Sequence, residues 1–150
     1  MDIAARELGL DPVGVELDAW AVATRRAVGL RTLHADVETL EPRMFSNVVG
    51  LIASAPCQGF STAGKQDPND PRNRLVWEAR RWIEALRPQW IAFEQVPPVL
   101  PIWRAYAQWL ALLGYYTSEP GATRELQFNP TPGRFEGCVP MSRIGRAWSV

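Results

Sequence analysis

Cys57 and Glu94 are the residues of this chain whose types and settings suit covalent catalysis. Cys57 lies in Ser54-Ala55-Pro56-Cys57-Gln58-Gly59-Phe60-Ser61, and Glu94 in Phe93-Glu94-Gln95-Val96. A thiolate is a strong nucleophile, and a carboxyl group beside it can neutralise charge that develops on the group under attack. A cysteine alone is more often a small buried hydrophobe. The segments ahead of the two residues therefore decide what they mean.

Both segments read as strands. Val48-Val49-Gly50-Leu51-Ile52-Ala53 is a short apolar run bounded by turn signals, the pattern of a strand buried on both faces. Pro56 then takes the chain out of regular pairing just before Cys57. Trp90-Ile91-Ala92-Phe93 is a second such run, and Glu94 follows it directly. Thiol and carboxylate thus leave the carboxyl ends of strands, where open α/β sheets place their ligands.

The remaining elements alternate with these strands. Ile3 to Leu8 reads as a helix stopped at Gly9, and Val13 to Glu16 as a strand. Asp18 caps a helix running to about Val28, with Trp20, Ala23, Thr24 and Ala27 expected on its inner face and Gly29 as its stop. Thr32-Leu33-His34 reads as a strand. Leu75, Ala79, Trp82, Ile83 and Leu86 fall at helical spacing ahead of Pro88, as do Val99, Trp103, Tyr106, Leu110 and Leu113 ahead of Gly114. Alternation of this kind predicts an α/β fold, parallel strands with helices on both faces. From Ser118 the periodicity is lost among prolines and glycines, so residues 118–150 are expected to form an irregular tail.

Composition narrows the chemistry. The chain has 150 residues, enough for one domain, and no apolar run approaches the roughly 18 residues of a membrane helix. Its first residues lack the features of a secretory signal, which predicts a cytoplasmic protein with free thiols and no membrane partner. With two cysteines far apart and His34 the single histidine, no Cys/His metal cluster can be assembled, so no metal is expected. A formal net charge of zero gives no electrostatic footprint for nucleic acid. His34 reads as a structural residue, and the seven tryptophans mostly as core.

Four motifs, in order, make the chain similar to the catalytic domain of cytosine-C5 DNA methyltransferases from about Ile3 to Thr117. The Pro-Cys-Gln loop is the most specific. The resemblance implies a partial Rossmann-like sheet that uses S-adenosylmethionine as cosubstrate and acts on double-stranded DNA with a flipped cytosine. It implies that Cys57 adds to cytosine C6, and that Glu94 holds or protonates N3, which a carboxyl group half buried at a strand end can do. Gln58 and Ser61, with Gln95 and Val96, would contact DNA. The run Phe93 to Val96 departs from the family at Gln95, where asparagine is usual. Glu16, at the end of Gly14-Val15-Glu16, would hold the ribose hydroxyls of the cosubstrate; Asp36 would meet its adenine, and Pro56 would complete that pocket.

The same resemblance implies parts that this sequence does not display. The Gly-rich first motif belongs roughly 20 residues before Glu16, which falls ahead of Met1. A Gln-Arg-Arg segment and a target-recognition domain are expected after Thr117, where the tail instead has the look of out-of-frame translation. A second polypeptide that supplies missing motifs is therefore one expectation. Two other readings compete with an active core: an inactive truncated remnant acting as a weak binding module, and an unrelated thiol hydrolase. The hydrolase would need a base beside Cys57, and only His34 is available.

Overall fold

A computed structural model describes residues 2–64, 66–117 and 139–143, which fall into two compact units, Met1–Met44 and Phe45–Val150.

The first unit is a short parallel pair with two helices. Helix α1 spans Asp2–Glu7 and ends at Gly9, whose φ of +76° is the left-handed conformation that favours glycine. Strands β1 (Val13–Glu16) and β2 (Arg31–His34) pair in parallel, with Glu16 opposite His34. Helix α2 (Ala19–Ala27) joins them. The Asp18 carboxylate caps it by accepting from the Ala21 N–H at 2.7 Å.

The inner face of α2 differs from the one its sequence spacing predicts. Trp20 is 84% exposed, and Ala23, Thr24 and Ala27 are exposed as well, whereas Val22 is buried. The spacing was helical, but the helix is turned so that Val22 and Arg25 face its own strands. Arg25 donates through Nε to Thr32 Oγ1 of β2 at 3.1 Å and pairs with Asp2. A Cβ on Gly14 of β1 would fall 1.8 Å from the same guanidinium. A long polar side chain therefore occupies the space that an apolar one was expected to fill.

The second unit contains a four-stranded sheet of order β3-β4-β6-β5. Strands β3 (Gly50–Ala53) and β4 (Trp90–Phe93) are parallel and paired from Gly50↔Trp90 to Ala53↔Phe93. Strand β6 (Val139–Arg143) runs antiparallel to β4 and to β5 (Tyr115–Thr117). Five residues of the expected irregular tail are therefore sheet. Among the described residues strand β3 pairs with β4 alone, and all four of its residues are half-buried rather than enclosed on both faces.

Two helices supply the core of this unit. A 3₁₀ segment, Pro71–Trp77, leads into α3 (Glu78–Leu86), which closes on Arg87 in the left-handed region just before Pro88. A shorter 3₁₀ turn, Pro97–Val99, leads into α4 (Leu100–Leu112). Trp103 and Tyr106 of α4 pack on Phe93 of β4, with ring centroids 4.6 and 4.9 Å apart. Trp77 stacks on the same Tyr106 at 5.2 Å. The Tyr106 hydroxyl donates to the Val76 carbonyl at 3.1 Å, and that of Tyr115 to Pro88 at 2.7 Å. Burial pushes the Tyr106 phenol well above its ordinary range, so it stays a donor. Trp82 and Trp103 are core, as expected, while Trp77 is 45% exposed.

Candidate functional site

The in-register pairing of β3 and β4 brings Cys57 and Glu94 to the same end of one strand pair. The ladder runs one residue further, because the Glu94 N–H donates to the Ala53 carbonyl at 3.1 Å. Glu94 itself is exposed rather than half-buried. Its partner loop is folded back on itself. The carbonyl of Cys57 accepts from Phe60 N–H at 2.9 Å and from Ser61 N–H at 2.8 Å, so the half-buried free thiol sits at the entry of a tight turn. Ser61 Oγ then accepts from Gly64 N–H at 3.1 Å and closes the next turn.

Two glycines in this loop are closely approached, Gly64 by backbone and Gly59 by a side chain that a Cβ would have to displace. One added to Gly64 would lie 1.9 Å from the Gln58 carbonyl oxygen, and one added to buried Gly59 would lie 1.9 Å from Asn73 Oδ1. Asn73 in turn holds the neighbouring loop, donating through Nδ2 to the carbonyls of Asp67 at 3.0 Å and Pro68 at 3.3 Å. Its Oδ1 is buried against the Cys57 loop without a hydrogen-bond partner. Sequence reasoning missed Asn73, and a single asparagine in a polar loop gave no signal. It also passed over Asp70, although Asp70-Pro71 has the form of a helix start. Asp70 accepts from the Arg72 backbone N–H at 2.9 Å and from its guanidinium at 2.9 and 2.6 Å. The hydrogen-bonded Arg72 side chain holds the Asp70 carboxyl down at about 2.

Gln95 and Val96 are half-buried, and the Gln95 amide is turned inward rather than toward an open surface. Its Nε2 donates to the Ala55 carbonyl at 2.7 Å and its Oε1 accepts from the Val96 N–H at 2.9 Å. Gln58 is exposed, Ser61 half-buried, and Pro56 half-buried within the loop.

The first unit presents its acidic pair in the same manner. Glu16 closes β1, and its Oε1 accepts from the Asp18 N–H at 2.9 Å. Asp36 lies two residues beyond β2; its Oδ1 accepts from the Glu38 N–H at 2.9 Å, and its carbonyl accepts from Thr39 at 3.0 and 3.1 Å. Two half-buried carboxylates thus stand at the carboxyl ends of adjacent parallel strands, an acceptor set that suits a ligand bearing hydroxyl or amino groups. His34 is used structurally, donating through Nε2 to the Leu17 carbonyl at 2.9 Å. Among the described residues no cluster of three His, Cys, Asp or Glu side chains could hold a metal, and no helix is long and apolar enough to cross a membrane. Cys138 lies outside the described residues.

Comparison with known proteins decides between a family member and a chance arrangement. The profile of the C-5 cytosine-specific DNA methylases matches residues 2–110. The chain belongs to that family. It is 33% identical over 94 residues to the type II methyltransferase M.DdeI of Desulfomicrobium norvegicum, a match covering 59% of this chain and 23% of that protein. It is 46% identical over 46 residues to M.XorII of Xanthomonas oryzae, covering 31% and 11%. The chain therefore spans about a quarter or less of the length of these curated relatives. Among solved structures, a mutant of Spodoptera frugiperda DNMT2 aligns with a TM-score of 0.66 at 19% identity, covering 99% of this chain and 48% of that one. Schizosaccharomyces pombe Dnmt2 aligns at 0.63 and 17%, with the same coverage. These two establish the methyltransferase fold of this family member, an α/β arrangement with parallel strand pairs.

Proposed function

We propose that this chain is a DNA (cytosine-5-)-methyltransferase-type protein that transfers a methyl group from S-adenosylmethionine to C5 of a cytosine flipped out of double-stranded DNA, acting through a covalent Cys57 adduct. The observation that carries the reading is the in-register β3–β4 pair, which ends in a free thiol on one loop and a carboxylate on the next. Cys57 sulfur forms a bond to C6 of the flipped base while Glu94, exposed at the strand end, holds or protonates N3. The ring becomes an enamine that is nucleophilic at C5. Bound S-adenosylmethionine supplies the electrophilic methyl group. Loss of the C5 proton to a water molecule, departure of the Cys57 sulfur and return of any N3 proton to Glu94 then restore the aromatic ring.

Glu16, Asp36 and Pro56 are assigned to the cosubstrate. The two carboxylates suit the ribose and the adenine amino group, and each is held in place by a backbone N–H. Gln58 is exposed on the loop after Cys57, where DNA would lie. A cytoplasmic setting, where DNA is accessible, accords with this substrate.

The test uses duplex DNA containing 5-fluorocytosine, together with S-adenosylmethionine. Fluorine blocks loss of the C5 substituent, so a competent core accumulates a covalent protein–DNA complex, and Cys57→Ser removes it. No complex, combined with no S-adenosylmethionine binding by titration, overturns the active reading and leaves an inactive remnant that serves at most as a weak binding module.

A further inference from the structure

We infer that Gln95 is a positioning residue: its amide spans the two loops of the strand pair and fixes the Cys57 loop relative to Glu94. Gln95 follows Glu94 directly, yet Nε2 reaches 40 residues back to donate to the Ala55 carbonyl at 2.7 Å, with the Pro56 carbonyl at 3.4 Å. These are the two carbonyls immediately ahead of Cys57. The other end of the amide is also fixed, since Oε1 accepts from the Val96 N–H at 2.9 Å. With both ends engaged the amide has one orientation, and the side chain is not free to read a DNA base or backbone.

A tether is needed at this point. Beyond Ala53 the regular ladder stops, and Pro56 has no N–H with which to continue it. The Cys57 carbonyl is taken by Phe60 and Ser61, so the turn after the thiol is held only as firmly as the approach that places that carbonyl. Gln95 supplies the cross-loop bond on the approach side. It acts through Cys57 and Glu94 and touches neither reacting atom.

The role rests on the methyl-transfer reading for its meaning but not for its measurement. Two variants of the full chain separate the amide's hydrogen bonds from its packing. Gln95→Met keeps the shape and removes both bonds. Gln95→Glu keeps the acceptor for Val96, and its other oxygen can donate to Ala55 only when the carboxyl group is protonated. Backbone hydrogen exchange at Phe60 and Ser61, corrected for intrinsic rates, and iodoacetamide alkylation of Cys57 are followed across pH.

The expected results are exchange at least tenfold faster in Gln95→Met at neutral pH, with a changed alkylation profile. In Gln95→Glu the protection should match the parent near pH 4 and be lost by pH 7. Each pH series is its own folding control, because a loop held only by packing would not change with the charge of residue 95. Parent-like protection and alkylation in Gln95→Glu at both pH values would overturn the role. If the loop loosens as expected but the parent forms no adduct with 5-fluorocytosine DNA, the methyltransferase reading fails and the tether stands.

Discussion

The two units present acidic groups at parallel strand ends in the same way, but they hold them by different means. In Met1–Met44 the site carboxylates are set by neighbours in sequence: Glu16 by Asp18 two residues on, and Asp36 by Glu38 two residues on. Around Cys57 and Glu94 the loops are held by groups far apart in sequence, Gln95 on Ala55 and Asn73 against Gly59. Burial divides likewise. All ten buried residues of the main core cluster, from Val76 to Tyr115, lie in the second unit, whereas the first contributes Ala5, Val22 and Leu30 to the buried apolar set. Local turns suffice where a carboxylate has only to accept hydrogen bonds from a ligand. On the proposed reading, a thiol that must meet one ring carbon needs a framework fixed in three dimensions.

The largest test of this contrast is Trp103→Ala. The indole is 8% exposed and stacks on Phe93, the last residue of β4 before Glu94. Its removal should cost the second unit about 3–5 kcal/mol, seen as an earlier denaturant midpoint together with faster alkylation of Cys57. Hydrogen exchange in β1 and β2 should change far less. Equal loosening of both strand pairs would break the contrast.

A smaller test addresses the local bonds. Asp18→Ala removes the acceptor for Ala21 N–H and should cost α2 about 1 kcal/mol. It leaves the Asp18 N–H that holds Glu16 in place. Exchange in the first turn of α2 should rise severalfold while the Cys57 turn keeps its protection. If the Phe60 and Ser61 amides also loosened, the first unit would not be locally determined.

Much of this arrangement was legible in the sequence. The β1 and β4 boundaries, the Asp18 cap and the stops at Gly9, Gly29 and Gly114 each follow from residue types that act on their own backbone. Cys57 and Glu94 were legible because an apolar run ahead of a special residue marks a strand end. What stayed hidden depended on partners. The face of α2 could not be read because Arg25, not an apolar residue, crosses to Thr32. The start of α3 was read too early because the spacing of Leu75 and Ala79 does not distinguish a 3₁₀ turn from an α-helix. Strand β6 contains Pro140, which argues against a paired strand, and its antiparallel place between β4 and β5 is set by those partners. The tethering by Gln95 across 40 residues leaves no local trace; its departure from the family's asparagine was the one available hint.

The smallest expected effect concerns the turn beside the Cys57 loop, where the hold is electrostatic. Asp70 caps Pro71–Trp77 through Arg72, and this lowers its carboxyl to about 2 from an unperturbed value of about 3.9. A carboxylate lowered in the folded state stabilises the fold fully above its unfolded value, and the contribution is lost as pH falls through the folded value. The window is therefore roughly pH 4 down to 2. The Arg72 side chain is exposed although Asp70 is largely covered, so salt should weaken the pair. Carboxyl-carbon NMR should show Asp70 titrating near the lower end of that window at low ionic strength, with its midpoint moving upward as salt is added. Exchange at Arg72 N–H should quicken over the same range, and Asp70→Asn should remove the pH dependence. A midpoint at the unperturbed value, insensitive to salt, would mean that the Arg72 contact does not persist in solution, and Asn73 alone would then have to hold the loop that packs against Gly59.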